Sequence, residues 1–471
     1  VNLILQLFGV IGPWLVVFAH FAIALWVTVH VLLHKRDVGS SLGWIGLAWF
    51  SPFIGGFFYA VLGINRVSRR ARRLHAPQSP RAASITGLAG GSLAALDHAT
   101  SRITGRPAAP DNSITIFHNG DEAYPAMLQA IAGARTSIGL SSYMFRTDRT
   151  GQIFIAALAA ARRRGVEVRV IIDGVGGGYV SSPAYHALRL AGIPAGRFIH
   201  SPLPWRMPLL NLRSHKKILV IDGHTGFTGG LNITDDNVLA LHPKTPVLDT
   251  HFIVTGPVAG QLTSAFVKDW FFVTNEELTG ENWFPALKPS GAAQARVITS
   301  GPDRDIEKIE FAVLQAISCA RASITIMTPY FLPGDQIVMA LTLAAMRGIR
   351  VDLVIPGQSN HRLVDWATRA TIGPMVHEGA HVWLGPPPFR HSKLMTIDGE
   401  WSLIGSNNWD IRSFRLNFEL SMEVYDKPLA ETLGAFIMAH KGGALTAAHL
   451  DARPAPARLR DAAVRLLMPY L

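Results

Sequence analysis

The sequence predicts an α/β protein built from two duplicated α/β/α halves that share a central cleft, preceded by a two-helix transmembrane hairpin. Four observations predict it. The spaced set His-x-Lys-x4-Asp occurs twice, as His215, Lys217, Asp222 and as His391, Lys393, Asp398. A small-residue turn follows each copy at the same interval, Gly229-Gly230-Leu231-Asn232 and Gly405-Ser406-Asn407-Asn408. Similar strand-helix-strand patterns precede both sets, and two long runs without Asp, Glu, Lys or Arg open the chain.

The two opening runs are residues 1–33 and 38–65, separated by His34-Lys35-Arg36-Asp37. Each exceeds the ~20 apolar residues that cross a bilayer as a helix. The first lacks the basic start and short apolar core of a secretory leader, so two transmembrane helices are expected. Pro13, Pro52 and Gly55-Gly56 would bend these helices without forbidding them. Arg66, Arg69, Arg70, Arg72 and Arg73 follow the second run and outweigh Lys35 and Arg36 in the turn. By the positive-inside rule this places the N-terminus and everything after residue 65 in the cytoplasm. The same arginines suit anionic headgroups.

Residues 66–113 read as a basic stretch and linker, rich in Ala, Ser, Gly and Pro, with a short helix expected around Ser92 to Thr104. The first half is expected over 114–290 and the second over 291–440. Ala134-Arg-Thr-Ser-Ile138 is echoed by Ala320-Arg-Ala-Ser-Ile324, and each leads to an aromatic step, Ser142-Tyr143-Met-Phe145 and Pro329-Tyr330-Phe331. A helical period follows from Ile153 to Arg164 and from Ile337 to Arg347, each closed by glycine. The strands Val166 to Ile172 and Ile349 to Ile355 come next. Strand, helix, strand with a right-handed crossover gives a parallel-type sheet covered by helices. The segment 201–210, with Pro, Trp and aliphatic residues, is either a packed loop or a rim touching the membrane interface. In the tail 441–471, residues 457–471 set Arg458, Arg460 and Arg465 among leucines, which fits a basic amphipathic helix on a membrane or one packed on the body.

A His and a Lys two apart on a strand point to one face. Such a pair delivers an acid or nucleophile beside a fixed cation, and Asn232, Ser406 and Asn408 add small polar donors. This set suits a phosphate. In-line displacement at a phosphodiester needs a nucleophile, a proton for the leaving alcohol and neutralisation of the non-bridging oxygens. One imidazole, starting neutral, attacks phosphorus to form a phosphohistidine; the other, starting protonated, serves as acid and then base. Lys217 and Lys393 hold the oxygens as point charges. An attacking ring nitrogen needs a fixed tautomer. Asp249 and Glu419, each downstream of one motif, are candidates to orient the histidines. Asp222 and Asp398 lie an apolar tetrapeptide beyond the lysines and are expected to brace loops by hydrogen bonds.

Composition narrows the partners. The chain has 471 residues, 44 Lys and Arg against 33 Asp and Glu, and a net charge of +11. That balance implies an anionic partner: phospholipid, nucleic acid or an acidic substrate. Cys319 is the single cysteine, so no disulfide framework or cysteine metal site is built within the chain. No His-Glu-x-x-His, Cys-x-x-Cys or glycine-rich phosphate loop is present, and no cofactor or metal is expected.

The duplicated motif resembles that of the phospholipase D superfamily, with Gly230 as a departure where the second copy has Ser406. The two hydrophobic runs, the arginine cluster, Thr328-Pro-Tyr-Phe-Leu-Pro333 and the extended second motif with Asp410, Arg412, Ser413, Asn417 and Glu419 resemble bacterial cardiolipin synthases over nearly the whole chain. The resemblance counts Asp222 and Asp398 in the catalytic signature, supports orienting roles for Asp249 and Glu419, and makes His215 the nucleophile and His391 the acid and base. It implies transfer of a phosphatidyl group between two phosphatidylglycerol molecules, giving cardiolipin and glycerol, at a bacterial inner membrane. Rival readings are a hydrolase releasing phosphatidic acid, a transferase using another alcohol such as phosphatidylethanolamine, a nuclease and an inactive membrane scaffold. The membrane spans and the absence of an aromatic ladder argue against nucleic acid. Oligomeric state is open, a homodimer included.

Overall fold

The computed structural model describes residues 2–34, 38–63, 93–178, 181–198, 213–301 and 305–468. The arginines at 66–73 and the segment 201–210 lie outside these. The chain divides into two units, an N-terminal one and a larger one that carries both His–Lys motifs.

In the N-terminal unit, Asn2–His34 is one continuous helix, and its Gly12–His34 part is long and apolar enough to cross a membrane. The second apolar run is not a single helix. It breaks into Val38–Phe50 and Pro52–Phe58, followed by a π-helical turn at Tyr59–Gly63. Pro52 has no N–H to continue the ladder, so it takes the first position of a new helix with Ser51 extended ahead of it. The proline thus does more than bend the second run. The pieces pack on the first helix through Val27, Val31, Ala48 and Tyr59. Trp49 Nε1 donates to Thr28 Oγ1 at 3.0 Å, and Tyr59 Oη meets His30 Nδ1 at 2.7 Å. These polar side chains are thereby partnered within the apolar unit. Trp14, Phe18, Leu33 and Phe50 face outward.

The larger unit is a mixed sheet with helices on its faces. Its strands begin with β1 (Ala109–His118), β2 (Ser137–Ser142), β3 (Glu167–Asp173), β4 (Ala195–Phe198), β5 (Ile218–Ile221) and β6 (Thr225–Gly229). Next come β7 (Val247–Leu248), β8 (Thr250–Thr255), β9 (Ala293–Ser300), β10 (Ser323–Met327), β11 (Phe331–Leu332), β12 (Arg350–Pro356) and β13 (His381–Gly385). The last are β14 (Phe389–Arg390), β15 (Leu394–Ile397), β16 (Trp401–Gly405), β17 (Trp409–Asp410), β18 (Glu419–Tyr425) and β19 (Gly443–Leu445). Among the described residues fifteen strands join in the order β19-β13-β12-β10-β15-β16-β18-β9-β1-β8-β6-β5-β2-β3-β4. Read inward, β4-β3-β2-β5-β6-β8-β1 repeats β13-β12-β10-β15-β16-β18-β9. The two series meet where β1 pairs antiparallel with β9. The duplication in sequence is therefore a pseudo-twofold in the sheet.

The sheet is parallel only in its outer parts, β2-β3-β4 and β10-β12-β13. The helices Arg149–Arg163 and Asp335–Met346 make the crossovers, and both end at glycines of positive φ, Gly165 at 94° and Gly348 at 83°. The strands following the His–Lys pairs are antiparallel, whereas the strand-helix-strand units are parallel as expected. A two- or three-residue connection such as Asp222-Gly223-His224 cannot return a parallel strand.

The compact body also starts earlier than expected. The helix Ala94–Thr104 and the strand from Ala109 occupy much of the anticipated linker. Leu93 and Leu96 enter the core against the helix Lys308–Cys319. Fully buried Arg296 ties this helix down through Asp97 and also reaches Glu423 at 3.2 Å. Near the C-terminus, the helix Ala455–Arg465 packs along Arg362–Thr371, with Arg460 over the Trp366 ring at 4.0 Å and Val464 against Val364 and Ala367. Of the two placements weighed for it, the body contact is the one formed.

Candidate active site

Two short backbone contacts across the pseudo-twofold assemble the site. β14 pairs parallel with β7, and His391 N donates to Leu248 O at 2.7 Å. On the opposite side Ser214 bridges Phe418, and His215 N donates to Phe418 O at 2.8 Å. Each histidine is thereby docked beside the residue preceding the other half's carboxylate. His391 Nδ1 lies 2.8 Å from Asp249 Oδ2, and His215 Nδ1 lies 3.2 Å from Glu419 Oε2 and 3.0 Å from Ser406 O. The carboxylates hold the Nδ1 proton of each ring, leaving Nε2 with its lone pair. The imidazoles meet nearly edge to face with centroids 6.2 Å apart.

Each lysine lies close to the histidine two residues before it. Lys217 Nζ donates to His215 O at 2.7 Å, and Lys393 Nζ approaches His391 Nδ1 at 2.8 Å. Burial pushes Lys217 down to about 7 and Lys393 to about 8, against the pull of Glu419 and Asp249. Burial, helped by Lys393, drives His391 down to about 3. His215 is also lowered, by burial first and then by Lys217, against Glu419. Burial thus favours the neutral form of both imidazoles. Asp249 and Glu419 stay below the ordinary carboxylate range: burial alone would raise them, but Lys393 and His391 on one side and His215 and Lys217 on the other outweigh it.

The remaining expected residues divide into two groups. Asn232 and Asn408 line the cavity, and Asn232 Oδ1 also accepts from Met144 N at 3.1 Å. Ser406 does not face it. Its hydroxyl is fully buried and donates to Glu419 Oε2 at 2.6 Å. Asp222 and Asp398 sit at the far ends of β5 and β15, about 16 Å of extended chain from the lysines. Asp222 accepts from the backbone N–H groups of Arg135, Thr136 and Ser137, and Asp398 from those of Arg321, Ala322 and Ser323. Neither reaches the reacting groups.

A cavity of about 690 Å³ opens over the histidines. Tyr143 and Tyr330 wall it, their rings edge-on to His215 at 5.0 Å and His391 at 6.3 Å. Arg213, Arg412, Asp410, Asn417, Leu332, Val364 and Phe389 complete much of its lining. Tyr143, Tyr330 and Arg213 line the cavity without having been expected there, although the repeated aromatic step placed Tyr143 and Tyr330 at matching positions. Among the described residues no group of three His, Cys, Asp or Glu side chains is placed to hold a metal ion.

Fold and site together define a duplicated α/β protein whose paired His–Lys centre suits phosphodiester chemistry. The family model described as cardiolipin synthase, phospholipase D-like domain, matches residues 127–270 and 313–438, and one described as phospholipase D-nuclease N-terminal matches 22–63. The chain is 30% identical to the major cardiolipin synthase ClsA of Bacillus subtilis, over 94% of this chain and 95% of that protein. It is 30% identical to cardiolipin synthase A of Pseudomonas fluorescens over 88% and 89% of the two chains. The crystal structure of phosphatidylserine synthase from Haemophilus influenzae shares the fold, with a TM-score of 0.62 at 13% identity, covering 81% of this chain and all of that one. The chain belongs to the phospholipase D-like cardiolipin synthase family.

Proposed function

We propose that this chain is a cardiolipin synthase that moves a phosphatidyl group from one phosphatidylglycerol to a second, releasing glycerol. The observation that carries this reading is the pair of imidazoles 6.2 Å apart across the pseudo-twofold, each held by the opposite half's carboxylate beneath one cavity. Relatives named cardiolipin synthase over nearly the full length support it.

In the first step His215 Nε2 attacks phosphorus, a P–N bond forms, and the P–O bond to glycerol breaks. His391 supplies the proton that the glycerol oxygen takes away. In the second step the hydroxyl of another phosphatidylglycerol attacks the phosphohistidine. Its proton returns to His391, and the P–N bond breaks. His391 takes the proton it needs from solvent as substrate binds, because the phosphodiester's negative charge opposes burial and Lys393, which favour the neutral ring. Lys217 and Lys393, with Asn232 and Asn408, stabilise charge on the non-bridging oxygens. No external energy source is needed, since one phosphodiester replaces another. The assignment of attack to His215 rests on family resemblance.

The apolar N-terminal unit anchors the enzyme in the bacterial inner membrane as a two-crossing hairpin, and the arginines at 66–73 favour a cytoplasmic catalytic part. The test is purified full-length protein supplied with phosphatidylglycerol in mixed micelles, with products weighed by mass spectrometry. Cardiolipin and glycerol in equal amounts support the reading. Phosphatidic acid as the main product overturns it.

A further inference from the structure

The reacting centre is balanced for a single phosphodiester. Lys217 and Lys393 face Asp249 and Glu419, while burial lowers both lysines and favours the neutral form of both imidazoles. One bound phosphodiester adds a negative charge, which one proton on the acid imidazole offsets. A transfer between two phosphatidylglycerols brings a second phosphodiester into the same cavity. The centre has no charge left for it, and an uncompensated anion in a half-enclosed site is costly.

The cavity carries its own answer beside the centre. Arg213 and Arg412 both line it and lie within electrostatic reach of each other. Arg213 stands two residues before His215 on extended backbone, so both side chains leave on one side. It is also hydrogen-bonded to Tyr143, the ring set edge-on to His215. One tyrosine ring thus separates this guanidinium from the reacting imidazole. Two carboxylates line the cavity among the described residues, and one of them, Asp410, also acts electrostatically on Arg412. Asp236 pairs with Arg146 at 2.7 Å, and Asp410 caps the following turn through Ser413 N at 2.7 Å.

We propose that Arg213 and Arg412 form a second phosphodiester subsite, which holds the phosphate of the acceptor lipid while its free glycerol hydroxyl reaches the phosphohistidine. This deepens the synthase reading and rests on it. Guanidinium groups suit the task because their planar fork matches phosphate oxygens. The product explains the spacing: a glycerol bridge joins its two phosphates, so the acceptor phosphate must sit one short linker from the reacting phosphorus. A small neutral acceptor such as glycerol has no phosphate and makes no use of the subsite.

Two reactions of the full-length enzyme separate the roles. The first is cardiolipin formation from phosphatidylglycerol; the second is exchange of labelled glycerol into phosphatidylglycerol, which uses the same donor phosphate and the same histidines. Arg213→Gln and Arg412→Gln are each expected to slow cardiolipin formation ~10- to 100-fold, mainly through a raised KM for acceptor, with glycerol exchange within about twofold of wild type. Retained exchange also certifies the fold of each variant. If exchange falls in parallel with cardiolipin formation, or if neither falls, the acceptor subsite is wrong. Wild-type protein that exchanges glycerol yet makes no cardiolipin defeats the synthase reading itself, and the subsite with it.

Discussion

Gly230 and Asp249 fit each other because neither leaves room for more: a Cβ at 230 would lie 2.2 Å from Asp249 Oδ1 and 2.3 Å from Oδ2. In the matching place of the other half, Ser406 accompanies Glu419 and hydrogen-bonds it at 2.6 Å. The shorter acid comes with the residue that has no side chain, and the longer acid comes with a hydroxyl that steers it. Gly230 is therefore not a half-site that has lost a donor. Gly230→Ser should displace Asp249 from His391 and lower turnover roughly 100-fold or more, the scale seen when a catalytic imidazole loses its orienting carboxylate. Combining it with Asp249→Glu imports the other half's solution and should recover part of the loss. Cardiolipin formation by the single and double variants checks both.

His215→Ala and His391→Ala should each abolish transfer, by roughly 1,000-fold or more, because neither ring can take over the other's position. They differ in one respect. Rapid quenching of His391→Ala with phosphatidylglycerol should reveal slow accumulation of a phosphoryl adduct on His215, located by peptide mass spectrometry. An adduct on His391 in wild-type enzyme would reverse the assignment of attack.

The lysines set the alkaline limit of activity. Their folded values, about 7 for Lys217 and about 8 for Lys393, lie well below the ordinary lysine value because burial disfavours the charged form. Phosphate binding needs the ammonium forms, so kcat/KM should fall as pH rises through about 7 to 8. In the complex the phosphodiester's negative charge favours ammonium, and the fall in kcat should come at higher pH. Initial rates from pH 5 to 10 at low and saturating lipid would show this separation; coincident limbs would exclude the lysines as its source.

Asp222→Asn and Asp398→Asn should damage the fold rather than the chemistry. Each carboxylate collects backbone N–H groups at a turn whose own φ is positive, 50° and 54°, a conformation Asn tolerates. Loss of these charge-assisted bonds costs about 1–3 kcal/mol per site. Thermal midpoints should fall, with kcat kept within a few-fold below the transition. For Asp222 the sign of the pH effect follows from its depressed folded value: burial raises it, but the Thr136, Ser137 and Arg135 amides outweigh this. Its contribution is present above the unfolded carboxylate value and is lost as pH falls through the folded one. The wild-type advantage over Asp222→Asn should therefore shrink in acid.

Much of this site could be read from spacing, because local periodicity decides what shares a strand face. His215 with Lys217 and His391 with Lys393 needed only a period of two. The helices ending at Gly165 and Gly348, and the buried strands after them, followed from patterns a few residues long. What stayed hidden depends on contacts between residues far apart in sequence. Nothing near His391 indicates that Asp249 rather than Glu419 will hold it, since that choice is made where β14 meets β7. Ser406 is a reasonable phosphate donor by composition, and only the packing of β16 against β18 turns its hydroxyl to Glu419. The helix Ala94–Thr104 has a weakly apolar sequence, and its place in the core is secured by Arg296, some two hundred residues away.

The crossed pairing of histidines and carboxylates also bears on what the duplication is worth. A doubled structure would ordinarily offer a spare: harm to one copy leaves the other at work. Here each imidazole depends on an acid from the opposite repeat, so a lesion on either side silences both. An isolated repeat would possess a histidine and a carboxylate and yet be unable to match them, and would need another such fragment joined face to face before it could act. Doubling has produced interdependence, not insurance.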